Sequence, residues 1–186
     1  MAAKTHELTF GGGLLERGFW LYVWEITTPE QQCVYYVGRT GDSSSSNAQS
    51  PFNRMGQHLG FRKESNALRR QLEAKGIVPE KCSFRLVAHG PVLDEGKTKE
   101  EHRPRRDKVA AMEKALAEAM CAAGYDVLDK VNCRVPLEEV AFAEVMEAFA
   151  EKFTKIEGPK ISRTCGSRYI KPSRTRGGTK CQLPQI

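Results

Sequence analysis

Trp20-Leu21-Tyr22-Val23-Trp24, the polar break Thr27-Thr28-Pro29-Glu30-Gln31-Gln32, the segment Val34-Tyr35-Tyr36-Val37-Gly38, and Ser50-Pro51-Phe52-Asn53-Arg54-Met55-Gly56-Gln57-His58-Leu59 together decide how this sequence folds. The two apolar segments are short, aromatic and β-branched, and the break between them holds a proline, which predicts two antiparallel strands joined by a turn. In the first strand both parities are apolar, with Trp20, Tyr22 and Trp24 on one face and Phe19, Leu21 and Val23 on the other. That is the pattern of a central strand covered on both sides. The last segment reads as a helix, with Ser50 as N-cap and Pro51 at the first helical position. Phe52, Met55 and Leu59 follow i, i+3, i+7 spacing and are expected to face the core, which puts Arg54 and His58 next to each other on the opposite side. Such a pair is ordinarily a solvated face.

Outward from this stretch, residues 1–17 read as a leader in which Gly11-Gly12-Gly13 argues against regular structure, with Leu8, Phe10, Leu14 and Leu15 available to pack on the domain. Gly41-Asp42-Ser43-Ser44-Ser45-Ser46-Asn47 predicts a flexible loop. A second helix is expected over residues 65–75, stopped by Gly76, and a third strand at Ser83-Phe84-Arg85-Leu86-Val87-Ala88. Residues 94–107 are so charged that they read as a surface loop, with Arg103, Arg105, Arg106 and Lys108 as candidates for phosphate contacts. The next helix is expected from about 106 to 123, with Gly124 ending it. Around Glu113, the residues Val109, Leu116 and Met120 fall within about 60°, whereas Glu118 points away at about 140°. A carboxylate on an apolar face is costly unless it is paired or holds a metal. Tyr125-Asp126-Val127-Leu128-Asp129-Lys130-Val131-Asn132 follows, and then a last helix over 137–155 with Val140, Met146, Phe149 and Phe153 among its apolar positions. The expected architecture is α+β: a small three-stranded, mainly antiparallel sheet flanked by helices, in a domain of residues 18–135. A C-terminal helix (136–155) packs on it, and a basic tail (156–186) follows.

These segments resemble the GIY-YIG nuclease family. Trp20-Leu21-Tyr22 stands for a degenerate first motif, and Tyr36-Val37-Gly38 followed by Arg39-Thr40-Gly41 for a nearly intact second one, with a tyrosine-to-tyrosine gap a little longer than the family's usual one. Asn53-Arg54-Met55-Gly56-Gln57-His58-Leu59 is similar to the family's catalytic-arginine helix. Met112-Glu113-Lys114-Ala115-Leu116 is similar to its metal-binding glutamate helix, and Lys130-Val131-Asn132 to its terminal asparagine. The resemblance spans about residues 18–133 and implies a metal-dependent DNA endonuclease that hydrolyses phosphodiester bonds.

On that resemblance Glu113 binds Mg2+ or Mn2+, which a lone carboxylate can do when waters and substrate phosphate complete the octahedron. Arg54 contacts the phosphate, Tyr22 takes the proton from water, and Tyr36 orients the site. A tyrosine is a poor base at its ordinary pKa of about 10, and an adjacent cation is expected to lower that value. His58 hydrogen-bonds the nucleophile or a phosphate oxygen and relays the proton, and Asn132 braces the site. The nearest subclass is a compact, stand-alone nuclease of the restriction type, with a homodimer for double-strand cleavage. The alternative is a non-catalytic nucleic-acid-binding module on the same scaffold.

At 186 residues the chain is long enough for one domain with a real core. It carries a net charge of +6, unevenly placed: residues 156–186 hold Lys160, Arg163, Arg168, Lys171, Arg174, Arg176 and Lys180 against one acid, Glu157, so the rest is neutral overall. Interspersed with Gly, Ser, Thr and Pro, this tail suits phosphate contacts, with Arg39 as a further DNA contact nearer the second motif. The cysteines Cys33, Cys82, Cys121, Cys133, Cys165 and Cys181 never approach CxxC spacing, and Cys33 and Cys121 lie in apolar segments, so they read as reduced small hydrophobes rather than a zinc site. His6, His89 and His102 have no partner at ligand spacing. With neither a run of eighteen apolar residues nor a basic segment leading into an apolar one at the N-terminus, a cytoplasmic protein without membrane contact is expected.

Overall fold

The computed structural model describes residues 3–42 and 46–157. The sheet has strands β1 (Phe19–Thr27), β2 (Cys33–Arg39) and β3 (Ser83–Leu93) in the order β2-β1-β3, with both pairings antiparallel. Helices α1 (Pro51–Leu59), α2 (Ala67–Ala74), α3 (Lys99–Ala122) and α4 (Glu139–Ala150) surround it, giving an α+β fold. The turn between β1 and β2 closes through Thr28, whose N–H donates to the Gln32 carbonyl at 2.9 Å and whose hydroxyl accepts from the Gln32 N–H at 3.3 Å.

Because β1 lies in the middle, its alternating side chains feed two separate cores. Phe19, Leu21 and Val23 join Tyr35 and Val37 of β2 under Val109, Met112, Leu116 and Met120 of α3 and Phe149 of α4. Tyr22, Trp24 and Ile26 join Val34 and Tyr36 under Leu68 and Leu72 of α2, with Met55 and Leu59 of α1 at the margin. The doubly apolar pattern of the first strand therefore has the cause expected of it. β3 runs further than its apolar stretch suggested, since it pairs with β1 along almost the whole length of that strand. Beyond α3 the chain turns along the free edge of β2, where Tyr35 N donates to Asp126 O at 2.8 Å and Leu128 N to Tyr35 O at 2.7 Å.

Several expectations are corrected. Residues 99–107 are not loop but the first turns of α3, because Thr98 caps the helix: its hydroxyl accepts from Glu101 N at 3.3 Å while Glu101 reaches back to Lys97 N at 3.0 Å. This Thr-x-x-Glu capping pattern, followed by good helix formers, outweighs the high charge and even the internal Pro104. A 3-10 turn occupies Gly12–Leu15, where the glycines had argued against regular structure, and Leu8 and Leu15 stay exposed, although Phe10 stacks on Phe52 with ring centroids 4.8 Å apart. Val140 is 88% exposed rather than packed, because α4 turns Val145, Met146 and Phe149 inward instead. Cys33, at the turn end of β2, and Cys121, on the outer side of α3, are exposed free cysteines and fill no core. None of the described helices is long and apolar enough to cross a membrane. The basic tail, with Lys160, Arg163, Arg168, Lys171, Arg174 and Arg176, lies outside the described residues, as do Cys165 and Cys181.

Candidate active site

The site sits at the end of the sheet where β1 begins and β2 ends. Tyr22 lies opposite Gly38 in the β1/β2 register and Trp24 opposite Tyr36, so Tyr22 and Tyr36 project from the same face of adjacent strands. Gly38 has a steric reason to lack a side chain: a Cβ there would lie 2.5 Å from Cε2 of Tyr22 and 2.8 Å from its hydroxyl oxygen. Thr40, fully buried, fixes this end of the hairpin by accepting from Trp20 N at 2.8 Å and donating to Gly18 O. We expect Gly38→Ala to destabilise the fold by about 1–3 kcal/mol, the usual range for overpacking, and to displace the Tyr22 ring. Urea unfolding followed by Trp fluorescence measures the first effect.

α1 presents a different face to the sheet from the one its apolar residues suggested. Phe52 is 37% exposed, whereas His58 is 1% exposed and wedged between the rings of Tyr22 and Tyr36, at centroid distances of 5.7 and 5.1 Å. The apolar i, i+3, i+7 stripe is thus a margin, and the Arg54/His58 side is what packs on the tyrosines. The Ser50 hydroxyl caps this helix by accepting from Asn53 N at 3.3 Å. Arg54 is largely buried and held by two donated bonds, to Asp42 Oδ2 and to Gln57 Oε1, both at 2.8 Å.

Tyr22 Oη lies 2.6 Å from His58 Nε2 and 3.1 Å from the carbonyl oxygen of Arg39. The carbonyl only accepts, so the single phenolic proton has two competing acceptors. If it goes to the carbonyl, Nε2–H of His58 donates to the phenol; if it goes to Nε2, the imidazole proton sits on Nδ1. Burial, and then the charge of Arg54, lower the His58 pKa to about 3, so the ring is neutral near pH 7. Burial raises the Tyr22 phenol well above its ordinary value, with Arg54 pulling the other way. Tyr36 is raised likewise, first by burial and then by Tyr22, Glu113 and Asp129. The expectation that a neighbouring cation lowers the Tyr22 pKa is therefore corrected: Arg54 is there, but loss of hydration outweighs it.

Glu113 reaches this end of the sheet from α3 and accepts from Arg39 Nη1 at 2.5 Å, with both side chains mostly buried. Burial is the largest influence on the carboxyl and pushes it up, Arg39 pulls it down, and Asp42 and Asp129 add to the rise, leaving it at about 7. Arg39, expected as a free DNA contact, is thus engaged within the protein. Comparison with protein-family models, with curated proteins and with solved structures found no match.

Asp42 and Asp129 are the members that sequence reasoning missed. Asp42 is tied to Arg54, and Asp129 is brought close by the strand-like pairing of Tyr35 with residues 126–128; only the Asp-rich run after Gly124 hinted at it. Asn132 lies beside Asp129 at the margin of the cluster. It is exposed and lines a cavity of about 340 Å³ with Lys114, Glu118, Cys121 and Asp129, and makes no hydrogen bond to the tyrosines, Arg54, His58 or Glu113 among the described residues. Among the described residues no three His, Cys, Asp or Glu side chains are grouped as a ready metal cage. Glu113 has one oxygen engaged by Arg39, and its second oxygen, Oε1, makes no hydrogen bond among the described residues. One carboxylate with water and phosphate is a donor set that suits magnesium or manganese. Three buried polar atoms around the cluster, Arg39 Nε, Arg54 Nε and His58 Nδ1, also have no protein partner among the described residues.

Proposed function

We propose that the protein is a metal-dependent DNA endonuclease of the GIY-YIG type, hydrolysing phosphodiester bonds. What supports this is that two tyrosines, an arginine, a histidine and a glutamate, drawn from β1, β2, α1 and α3, share one end of the sheet. Arg39 Nε and Arg54 Nε, which have no partner among the described residues, add donor capacity that suits the oxygens of a bound phosphate.

In this reading Arg54 binds the scissile phosphate and offsets the charge that develops as the water oxygen bonds to phosphorus and one P–O ester bond breaks. Glu113 would hold a Mg2+ or Mn2+ ion, which when bound would supply further positive charge to that phosphate and acidify water. Tyr22 accepts the proton of the attacking water as it passes its own to His58 Nε2, so no free tyrosinate has to form. The incoming phosphate offsets the Arg54 charge that helps keep His58 neutral, making the imidazole a better acceptor when substrate is bound. Tyr36, edge-on to the His58 ring, fixes its orientation. A restriction-type enzyme cutting both strands would need two copies of this site.

One observation favours the non-catalytic module instead: the Arg39 side chain occupies the carboxylate that the metal requires. Plasmid incubated with the full chain and magnesium or manganese, with and without chelator, separates the two readings. Metal-dependent nicking or linearisation supports the nuclease. A gel shift without cleavage selects the binding module, and neither result overturns both.

A further inference from the structure

Glu113 is the inner end of a longer stripe on α3. At about 100° per residue, Lys99, Arg103 and Arg106 all fall within about 80° of Glu113 around the helix, and the small side chain of Ala110 fills the gap between Arg106 and Glu113. With a rise of about 1.5 Å per residue, Arg106 stands about 10 Å and Lys99 about 21 Å from Glu113 along the axis. That is about three and six base-pair steps of a duplex lying along the helix. The outer part of the stripe opens onto a cavity of about 560 Å³ lined by Lys99, Glu100, His102, Arg103 and Arg106.

Three features mark this region as a binding surface rather than a solvated helix face. Lys99 and Arg103 are exposed and make no ion pair among the described residues, while the neighbouring cations are committed elsewhere: Arg105 donates to Asp94 O at 2.9 Å and Lys108 pairs with Glu138 at 2.8 Å. Arg106 donates through Nε and Nη2 to Asp107, which leaves Nη1 to reach outward. His102 lines the same cavity although it is only 2% exposed. Its Nε2 must donate to the carbonyl of Gly41 at 3.1 Å, and its Nδ1 is buried without a partner among the described residues. Gly41 directly precedes Asp42, the residue that holds Arg54, so the cavity joins the candidate active site through the backbone at the end of β2.

We propose that Lys99, Arg103 and Arg106 form a track that grips backbone phosphates of duplex DNA about three to six base pairs from the bond cut beside Glu113. This rests on the nuclease reading and extends it with a footprint. The track anchors the duplex away from the reacting phosphate, so it contributes affinity and register rather than chemistry. The Glu100 carboxylate lies at the rim and Arg106 is already paired with Asp107, so Lys99 and Arg103 carry most of the track's free charge.

The test is a salt titration of the full chain against a labelled duplex, with chelator present to prevent cleavage. Lys99→Ala/Arg103→Ala changes two exposed side chains and should leave the circular dichroism spectrum unaltered. With each lost phosphate contact worth about 0.9 in the slope of log K against log salt, the variant line should be flatter by about 1.8. Its affinity deficit should therefore shrink about twelvefold between 50 and 200 mM salt. A charge-matched control on exposed lysines after α4, Lys152→Ala/Lys155→Ala, should keep the wild-type slope. Parallel lines for wild type and track variant, or an equal change in the control, overturn the track while leaving the nuclease reading intact. Failure of the wild type to bind duplex at any salt overturns both.

Discussion

Glu113→Gln is expected to remove metal-stimulated cleavage, a loss of about a thousandfold or more in rate, while duplex binding in chelator stays near wild type. The carboxylate is the one side chain that the proposed chemistry cannot replace, and glutamine keeps its size and an oxygen for Arg39. Plasmid cleavage measured beside a gel shift reads both effects. The same substitution should alter stability with pH in a direction fixed by the carboxyl. Its pKa is raised in the folded protein, so the contribution is fully present below the ordinary carboxylate value near 4.5 and is lost as pH rises through about 7. The expected difference is on the order of 3 kcal/mol at most across that window. His58 acts in the opposite sense: its lowered pKa contributes stability above about 6.5 that is lost as pH falls toward 3. Urea unfolding at a series of pH values should show Glu113→Gln gaining stability relative to the wild type as pH rises from 5 to 8, since the His58 contribution is common to both curves and cancels in their difference. A mutant curve parallel to the wild type would assign the slope to another group.

Arg54→Ala should lower turnover by about a hundred- to a thousandfold with a smaller loss of affinity, because its contact strengthens as charge develops on phosphorus. It also removes one of the two influences that keep the His58 pKa low, so that pKa should rise from about 3 while burial still holds it below the ordinary value. Nuclear magnetic resonance titration of the His58 ring follows this independently of cleavage. Equal losses in affinity and turnover would make Arg54 a general phosphate anchor.

How much of this was legible from sequence depended on whether a residue announced its neighbour. The strands were readable because doubly apolar β1 can only lie between two covered faces, and Ser50-Pro51 marks the start of α1 by its own chemistry. Glu113 stood out because Val109, Leu116 and Met120 surround it at helical spacing, yet nothing local named Arg39, distant in sequence, as its ion partner. The face of α1 was misread because three apolar residues outvoted a histidine and an arginine; the helix turns on what the tyrosines can hydrogen-bond, a tertiary demand that periodicity does not carry. The start of α3 was present as Thr98 and Glu101 and was overlooked for the charge around it. Asp42 and Asp129 act through space, and only the assembled sheet brings them to the cluster.

The two-sided commitment of β1 bears on how such a site can change over time. The proposed proton-transfer residue, Tyr22, lies on a strand whose neighbouring positions are already spoken for by two cores, and the one facing Tyr22 across the hairpin, Gly38, has no room for even a methyl group. Sequence drift there is filtered by foldability before it is ever tested for activity. On the proposed reading, novelty in recognition has to come from the rim, from the outward stripe of α3, where the exposed Lys99 and Arg103 can be exchanged without disturbing either core. The architecture thus separates a constrained interior, which holds the proposed chemistry, from a permissive edge, where a proposed target would be chosen.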